Sequence, residues 1–220
     1  MAAARSSFDN NLQELYNDIK NMGNMVEDQI SLCIESLLKQ DEKLANKIIE
    51  NDDLVDNMQK EIEDKCIKLI ATQQPLAHDL RIIFTTSKIV TDLERMADYA
   101  VDIAKIAKRL KDEKYIKQLI DIPRMGEKAK EMVRLSVNAY IEGNVKKAYE
   151  ICKMDDEIDG IYKQIFSELL ILMMSDSSTI KQATQFLFIC KFLERFADHT
   201  TNICEWTIYL VTGEQKDLNE

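Results

Sequence analysis

Glu94, Asp98 and Asp102 stand four residues apart, and Glu194, Asp198 and Asn202 repeat that row one hundred residues later. On a helix turning about 100° per residue, a spacing of four places side chains above one another on one face. A second acidic pair, Asp52 and Asp56, returns as Asp155 and Asp159. Like charges four apart cost a helix only about 0.2–0.5 kcal/mol per pair, so a single row is compatible with an ordinary solvated face. Recurrence in the same arrangement is not explained that way. Clustered carboxylate oxygens, read as having no His or Cys nearby, are hard donors that suit Mg2+, Mn2+, Ca2+ or iron. The expectation is one or more cations in each half. One set of ligands is Asp52, Asp56, Glu94, Asp98 and Asp102; the other is Asp155, Asp159, Glu194, Asp198 and Asn202.

Other chemistry finds little to work with. His78 and His199 are the only histidines, and neither adjoins a glycine-rich nucleophile turn or a phosphate-cradling loop. A di-iron bundle would want Glu three residues before each His, but Pro75 and Phe196 occupy those places. Five scattered cysteines with no CxxC read as buried thiols in a reducing compartment. With 29 basic against 39 acidic residues the net charge is −10, which disfavours nucleic acid or an anionic membrane as a direct partner. A cation or a basic protein surface fits the sign better. No secretory leader and no apolar run of membrane length is seen, so a soluble cytoplasmic protein is expected, reaching a membrane only through partners.

The elements that must position these residues are helices. Five Gly and two Pro in 220 residues leave few, long segments. Apolar residues step by three and four through roughly 8–39, 41–70 and 77–110, and again through 124–142, 144–174 and 178–211. Asp41 caps the second of these, Pro123 opens the fourth, Gly143-Asn144 separates the fourth from the fifth, and Gly213 ends the last. The echo of Leu93-Glu-Arg-Met-Ala-Asp98 in Leu193-Glu-Arg-Phe-Ala-Asp198, and of Met22-Gly23 in Met125-Gly126, marks an internal duplication. The fold class is therefore all-α, two tandem elongated three-helix bundles: residues 1–110, a linker at 111–122, and residues 123–220. Leu93, Ala97, Ala100 and Ala104 form the inward stripe, leaving the carboxylates as a ridge on the flank. Antiparallel packing of the second and third helices would bring the two acidic clusters of each half side by side.

At these residues the chain resembles the PhoU family, bacterial regulators of phosphate uptake. The resemblance rests on Lys88-Ile-Val-Thr-Asp-Leu-Glu-Arg-Met-Ala-Asp98, on Phe192-Leu-Glu-Arg-Phe-Ala-Asp-His-Thr-Thr-Asn-Ile-Cys-Glu-Trp206, and on Pro75 followed by Asp79-Leu80-Arg81. It spans nearly the whole chain. It implies a non-enzymatic negative regulator of phosphate uptake and phosphate-starvation signalling, an adaptor between a phosphate ABC transporter ATPase and a sensor histidine kinase. It also implies a homodimer carrying metal ions (iron, Mn, Mg, Zn or Ca) on Glu94, Asp98 and Asp102 and on Glu194, Asp198 and Asn202. Asn202 replaces a carboxylate, so the second site is expected to bind metal more weakly. A histidine phosphotransfer module using His78 or His199 is the alternative reading; acidic neighbours weaken both as phosphate carriers, and His199 reads as a solvated or capping residue.

Overall fold

The computed structural model describes residues 2–218, with side chains from residue 8, and every regular element within them is helical. The first half holds α1 (Ala2–Lys39), α2 (Glu42–Glu50), α3 (Asp52–Gln73) and α4 (Ala77–Arg109). The second holds α5 (Asp121–Glu142), α6 (Val145–Ser175) and α7 (Ile180–Thr212), the last preceded by a 3-10 turn at Ser177–Thr179. The ends of the two expected bundles, residue 1 and residues 219–220, lie outside the described residues.

Periodicity translates directly into packing. Leu15, Ile19, Met22, Val26, Ile30, Cys33 and Leu37 of α1 are all fully buried, as are Leu93, Ala97, Ala100 and Ala104 of α4. The caps follow the local chemistry. The Asp41 carboxylate accepts the Lys43 and Leu44 N–H groups, and Asn144 accepts that of Lys147. Gly143 and Gly213 close α5 and α7 in the left-handed region, at φ 61 and 77. Pro123 sits within the first turn of α5, whose helix starts two residues earlier at Asp121.

One expectation fails. The single helix foreseen over 41–70 is broken at Asn51, whose N–H turns back to the Lys47 and Ile48 carbonyls. Asn is a poorer helix former than the Met154 that holds the equivalent place in α6, and α6 runs through unbroken. The break gives Asp52 the first position of a new helix, where the macrodipole favours negative charge.

The two three-helix sets share one apolar core, because α1 packs on α5 and α4 on α7 across the halves. The repeated Met-Gly pairs explain how α1 and α5 approach. A Cβ on Gly23 would stand 3.1 Å from a Val137 methyl, and one on Gly126 only 2.8 Å from Ile34 Cγ1. Each helix thus supplies a notch for a branched side chain of the other. The segment between the halves is pinned to both: the Tyr115 hydroxyl donates to the Leu37 carbonyl and the Ile116 N–H to Gln182 Oε1.

Two alanine substitutions should therefore have opposite signs. Gly126→Ala is expected to destabilise by about 1 kcal/mol or more, overpacking against Ile34 outweighing the helix-propensity gain. Gly160→Ala, on exposed α6 with nothing within 4 Å of the added methyl, should stabilise by up to about 1 kcal/mol. Urea denaturation of the two variants checks both.

Candidate functional site

The antiparallel seam between α3 and α4 brings the first acidic cluster together, and the seam between α6 and α7 the second. Asp52 and Asp56 of α3 lie within electrostatic reach of Glu94 and Asp98 of α4. Asp155, Asp156 and Asp159 of α6 likewise face Glu194 and Asp198 of α7. All ten expected ligand residues are half-buried. Those of the second half line an open pocket between α6 and α7, so there the expected ridge on the bundle flank is corrected: packing of the neighbouring helix turns a ridge into a groove wall.

Burial and mutual repulsion shift these acids upward. Desolvation, then the charges of Asp56 and Asp98, raises Asp52 above its ordinary range. Desolvation with Asp98, Asp56 and Asp52 raises Glu94 against the opposing pull of Arg95. In the second half, desolvation first and then Asp198, Asp159, Glu194 and Asp156 push Asp155 up to about 7. Asp198 is raised too, by desolvation and Glu194.

The two copies share one further feature. Asp52 Oδ1 and Asp155 Oδ1, at equivalent positions, are both buried and accept no hydrogen bond. A buried carboxylate oxygen without a donor costs about 1–3 kcal/mol or more, and its twin in the other half makes accident a poor explanation. Nearby cations serve the rim instead. Arg95 bridges Glu94 and Asp98 at 3.5 and 3.1 Å, Lys105 takes Asp102 at 3.0 Å, and Lys191 pairs with Glu194. Among the described residues, no group of three or more His, Cys, Asp or Glu side chains is drawn into a ready-made ligand set. The acids of the second half line an open pocket of about 460 Å³.

The clusters do not hold every expected ligand in the expected way. Asp102 is engaged by Lys105, and the Asn202 amide donates to Asp92 Oδ1 at 3.0 Å. The charge difference between positions 102 and 202 is thus largely offset by Lys105, and it does not by itself order the two sites. His199 is an interhelical partner and not a cap: its Nδ1–H donates to Asp92 Oδ1 at 2.8 Å and its ring packs on Tyr99. Asp92, 8% exposed, went unremarked in the sequence because its partners lie more than one hundred residues away. His78 is exposed at the start of α4.

The pocket of the second half also holds Cys152 and His199, and Leu218 of the C-terminal segment, whose N–H donates to Glu205 Oε1 at 2.7 Å. The expectation of rows with no His or Cys nearby therefore fails here. The signal was available for His199, which follows Asp198 directly; for Cys152 it required the pairing of α6 with α7. The basic cluster at the end of α4 is spent on partners, Lys108 and Lys111 on Glu42 and Arg109 on Gln185.

The site gathers hard carboxylate oxygens and excess negative charge around orphaned buried oxygens, with no donor group placed to meet the latter. For the ion-free chain this has a pH signature. A carboxylate raised on folding adds stability below its ordinary value of 3.8, and that stability is lost as pH rises through about 7. Ion-free protein should therefore be less stable at pH 8 than at pH 5. Asp155→Asn should recover about 1–2 kcal/mol at pH 8, after discounting for solvent screening, and little at pH 5. Chemical denaturation of chelator-treated protein at the two pH values measures it; an equal effect at both would contradict the assignment.

Comparison with known proteins places this geometry. A family model described as PhoU domain matches twice, over residues 19–107 and 122–207. The phosphate-specific transport system accessory protein PhoU homolog of Clostridium acetobutylicum is 57% identical, covering 98% of this chain and 99% of the relative. The protein of the same description from Zymomonas mobilis is 39% identical over 95% of this chain and 88% of its own. Crystal structures of PhoU from Pseudomonas aeruginosa and of the phosphate transport system regulatory protein PhoU from Streptococcus pneumoniae both superpose with a TM-score of 0.89. The former is 31% identical, covering 94% of this chain and 100% of that one; the latter is 34% identical, covering 96% and 99%.

Proposed function

The chain belongs to the PhoU family, and on that premise we propose that it is a regulatory accessory protein of phosphate-specific transport, loaded with cations in its two acidic clefts. Whole-length similarity to proteins of that description supports the regulatory half of this reading. The cation half is carried by one observation, the equivalent buried and unpartnered oxygens of Asp52 and Asp155. Asp52, Asp56, Glu94 and Asp98 would hold the ion of the first half, and Asp155, Asp159, Glu194 and Asp198 that of the second. A divalent or trivalent ion (iron, Mn, Mg, Zn or Ca) would neutralise charge that the rim Lys and Arg leave standing. Cys152 and His199 make the second cleft the softer of the two.

The adaptor role is a negative one: docking on the transporter's ATPase and on a sensor histidine kinase when phosphate is plentiful, from the cytoplasmic side and as a homodimer. No helix among the described residues is long and apolar enough to cross a membrane, which suits contact through partners. An apolar groove of about 690 Å³ between α3 and α4, with Ile67, Ile70, Leu80 and Phe84 exposed along it, offers such a partner a surface.

Two measurements test the proposal. Mn2+ binding by equilibrium dialysis should fall by about half in Asp52→Asn and in Asp155→Asn, and be lost in the double variant; unchanged binding in the double variant sinks the cation reading. Saturating Mn2+ at about 100 times Kd should stabilise the native chain by about 2.7 kcal/mol per site. Affinity capture from phosphate-replete cells should recover the transporter ATPase and the kinase, and recovery of neither sinks the adaptor reading.

A further inference from the structure

After α7 the chain turns and runs back along the helix it has just left, and neither the cation nor the adaptor reading employs this segment. The turn is built locally. Gly213 takes the left-handed conformation at φ 77 and its N–H donates to the Tyr209 carbonyl at 2.8 Å, while the Glu214 N–H donates to Thr212 Oγ1 at 3.1 Å. The return ends where the Leu218 N–H donates to Glu205 Oε1 at 2.7 Å. From Gly213 back to Glu205 the helix covers about 12 Å, and extended chain from Gly213 to Leu218 covers about 17 Å, so the path has little slack. Residues 213–217 are exposed, whereas the Leu218 side chain is half-buried against the core and lines the second cleft with Asp155, Asp198 and His199. Gln215, Lys216 and Asp217 stand beside Trp206, the chain's one tryptophan, around a neighbouring pocket of about 500 Å³. The first half is built otherwise. Its equivalent of Glu205 is Lys105, committed to Asp102 at 3.0 Å, and the chain leaving α4 is held by Gln40 Nε2 at the Leu110 and Glu113 carbonyls.

We propose that residues 213–218 are a strap that restricts access to the second acidic cleft, latched by the Leu218 N–H on Glu205 and by the Leu218 side chain against the core. Closed, the strap supplies one wall of the cleft; released, it leaves the cleft wider on the side of Leu218. The latch serves both partners. Glu205 is half-buried on α7, and a carboxylate withdrawn from water there gains the Leu218 N–H as a donor. A hydrogen bond to a charged acceptor favours closure by about tenfold or more. A segment of five exposed residues and one half-buried residue nonetheless opens without unfolding the helix it follows. On the cation reading the occupant that the strap retains is the ion of the second half, and the two clefts then exchange ions at different rates. The strap itself does not depend on that reading.

The test uses the chelator-treated full chain, so its outcome is independent of whether a cation binds. In the unsubstituted protein the Leu218 amide should exchange with deuterium about tenfold or more slowly than the amides of Gln215 and Lys216. Leu218→Ala removes the packed anchor and Glu205→Ala the acceptor, whereas Glu205→Gln keeps an acceptor oxygen in place. In both alanine variants the protection at position 218 should be lost and acrylamide should quench Trp206 more strongly. Cys152, partly exposed on the cleft wall, should be alkylated by iodoacetamide about fivefold or more faster under native conditions, as read by tryptic mapping, with the core cysteines Cys66 and Cys190 unchanged. Glu205→Gln should keep most of the protection and the native alkylation rate. An unprotected Leu218 amide in the unsubstituted chain, or a native rate at Cys152 in both alanine variants, would overturn the proposal. Equal acceleration at Cys66 and Cys190 would overturn it too, because the helices and not the strap would then be opening.

Discussion

A carboxylate oxygen withdrawn from water must find a hydrogen-bond donor, and two such oxygens among the described residues find none. Asp52 Oδ1 and Asp155 Oδ1 are enclosed by packing of α3 on α4 and of α6 on α7. The same packing that buries them gathers further carboxylates around them. Arg95, Lys105 and Lys191 stand at the rim, each committed to an acid of α4 or α7. The chain thus carries a stability penalty at neutral pH at places where an Asn or Ser would relieve it. Natural scaffolds keep such penalties where a ligand removes them, and on the proposed reading the ligand is a cation.

The duplicated architecture separates what the scaffold requires from what each copy is free to change. Both copies keep the notch glycines, Gly23 and Gly126, because α1 and α5 lock into one another through them. Both keep the inward Leu and Ala of the third helix and the Glu-x-x-x-Asp row beside it. Around that frame the copies diverge. Asn51 against Met154 breaks one helix and spares the other; Tyr99 against His199 and Ile49 against Cys152 give the second cleft nitrogen and sulfur where the first has ring and hydrocarbon. The result is one oxygen-lined cleft and one of mixed donors on the same backbone.

How much of this was legible in the sequence follows from the range of each interaction. The apolar stripes of α1 and α4 depend only on spacing within a helix, so Leu15 to Leu37 and Leu93 to Ala104 are found without coordinates. Caps such as Asp41 and Asn144 act over three residues and are equally plain. The Asn51 break was not, since Ile48 and Val55 keep the stripe in phase across it and a single poor helix former decides the outcome. Pairings across helices were least visible. Asp92 with His199, and Asp92 with Asn202, need the register of two helices whose relative position no local pattern encodes. Repetition supplied the exception: both acidic clusters recur in one order, which pointed to a common seam in each half before any seam was seen.

The Asp92 pairing ties the clefts together. Asp92 lies on α4, two residues before Glu94 and six before Asp98; it accepts from His199 and Asn202 of α7, which neighbour Asp198. The carboxylate is almost fully buried, so releasing both donors would strand a charge in the interface between the halves. Both long helices run through the shared core, so α4 and α7 are joined there by the Asp92 pairing as well as by direct packing. The second motif therefore has two duties. Its Glu and Asp shape the cleft, while its His and Asn fasten that cleft to the helix bearing the other one.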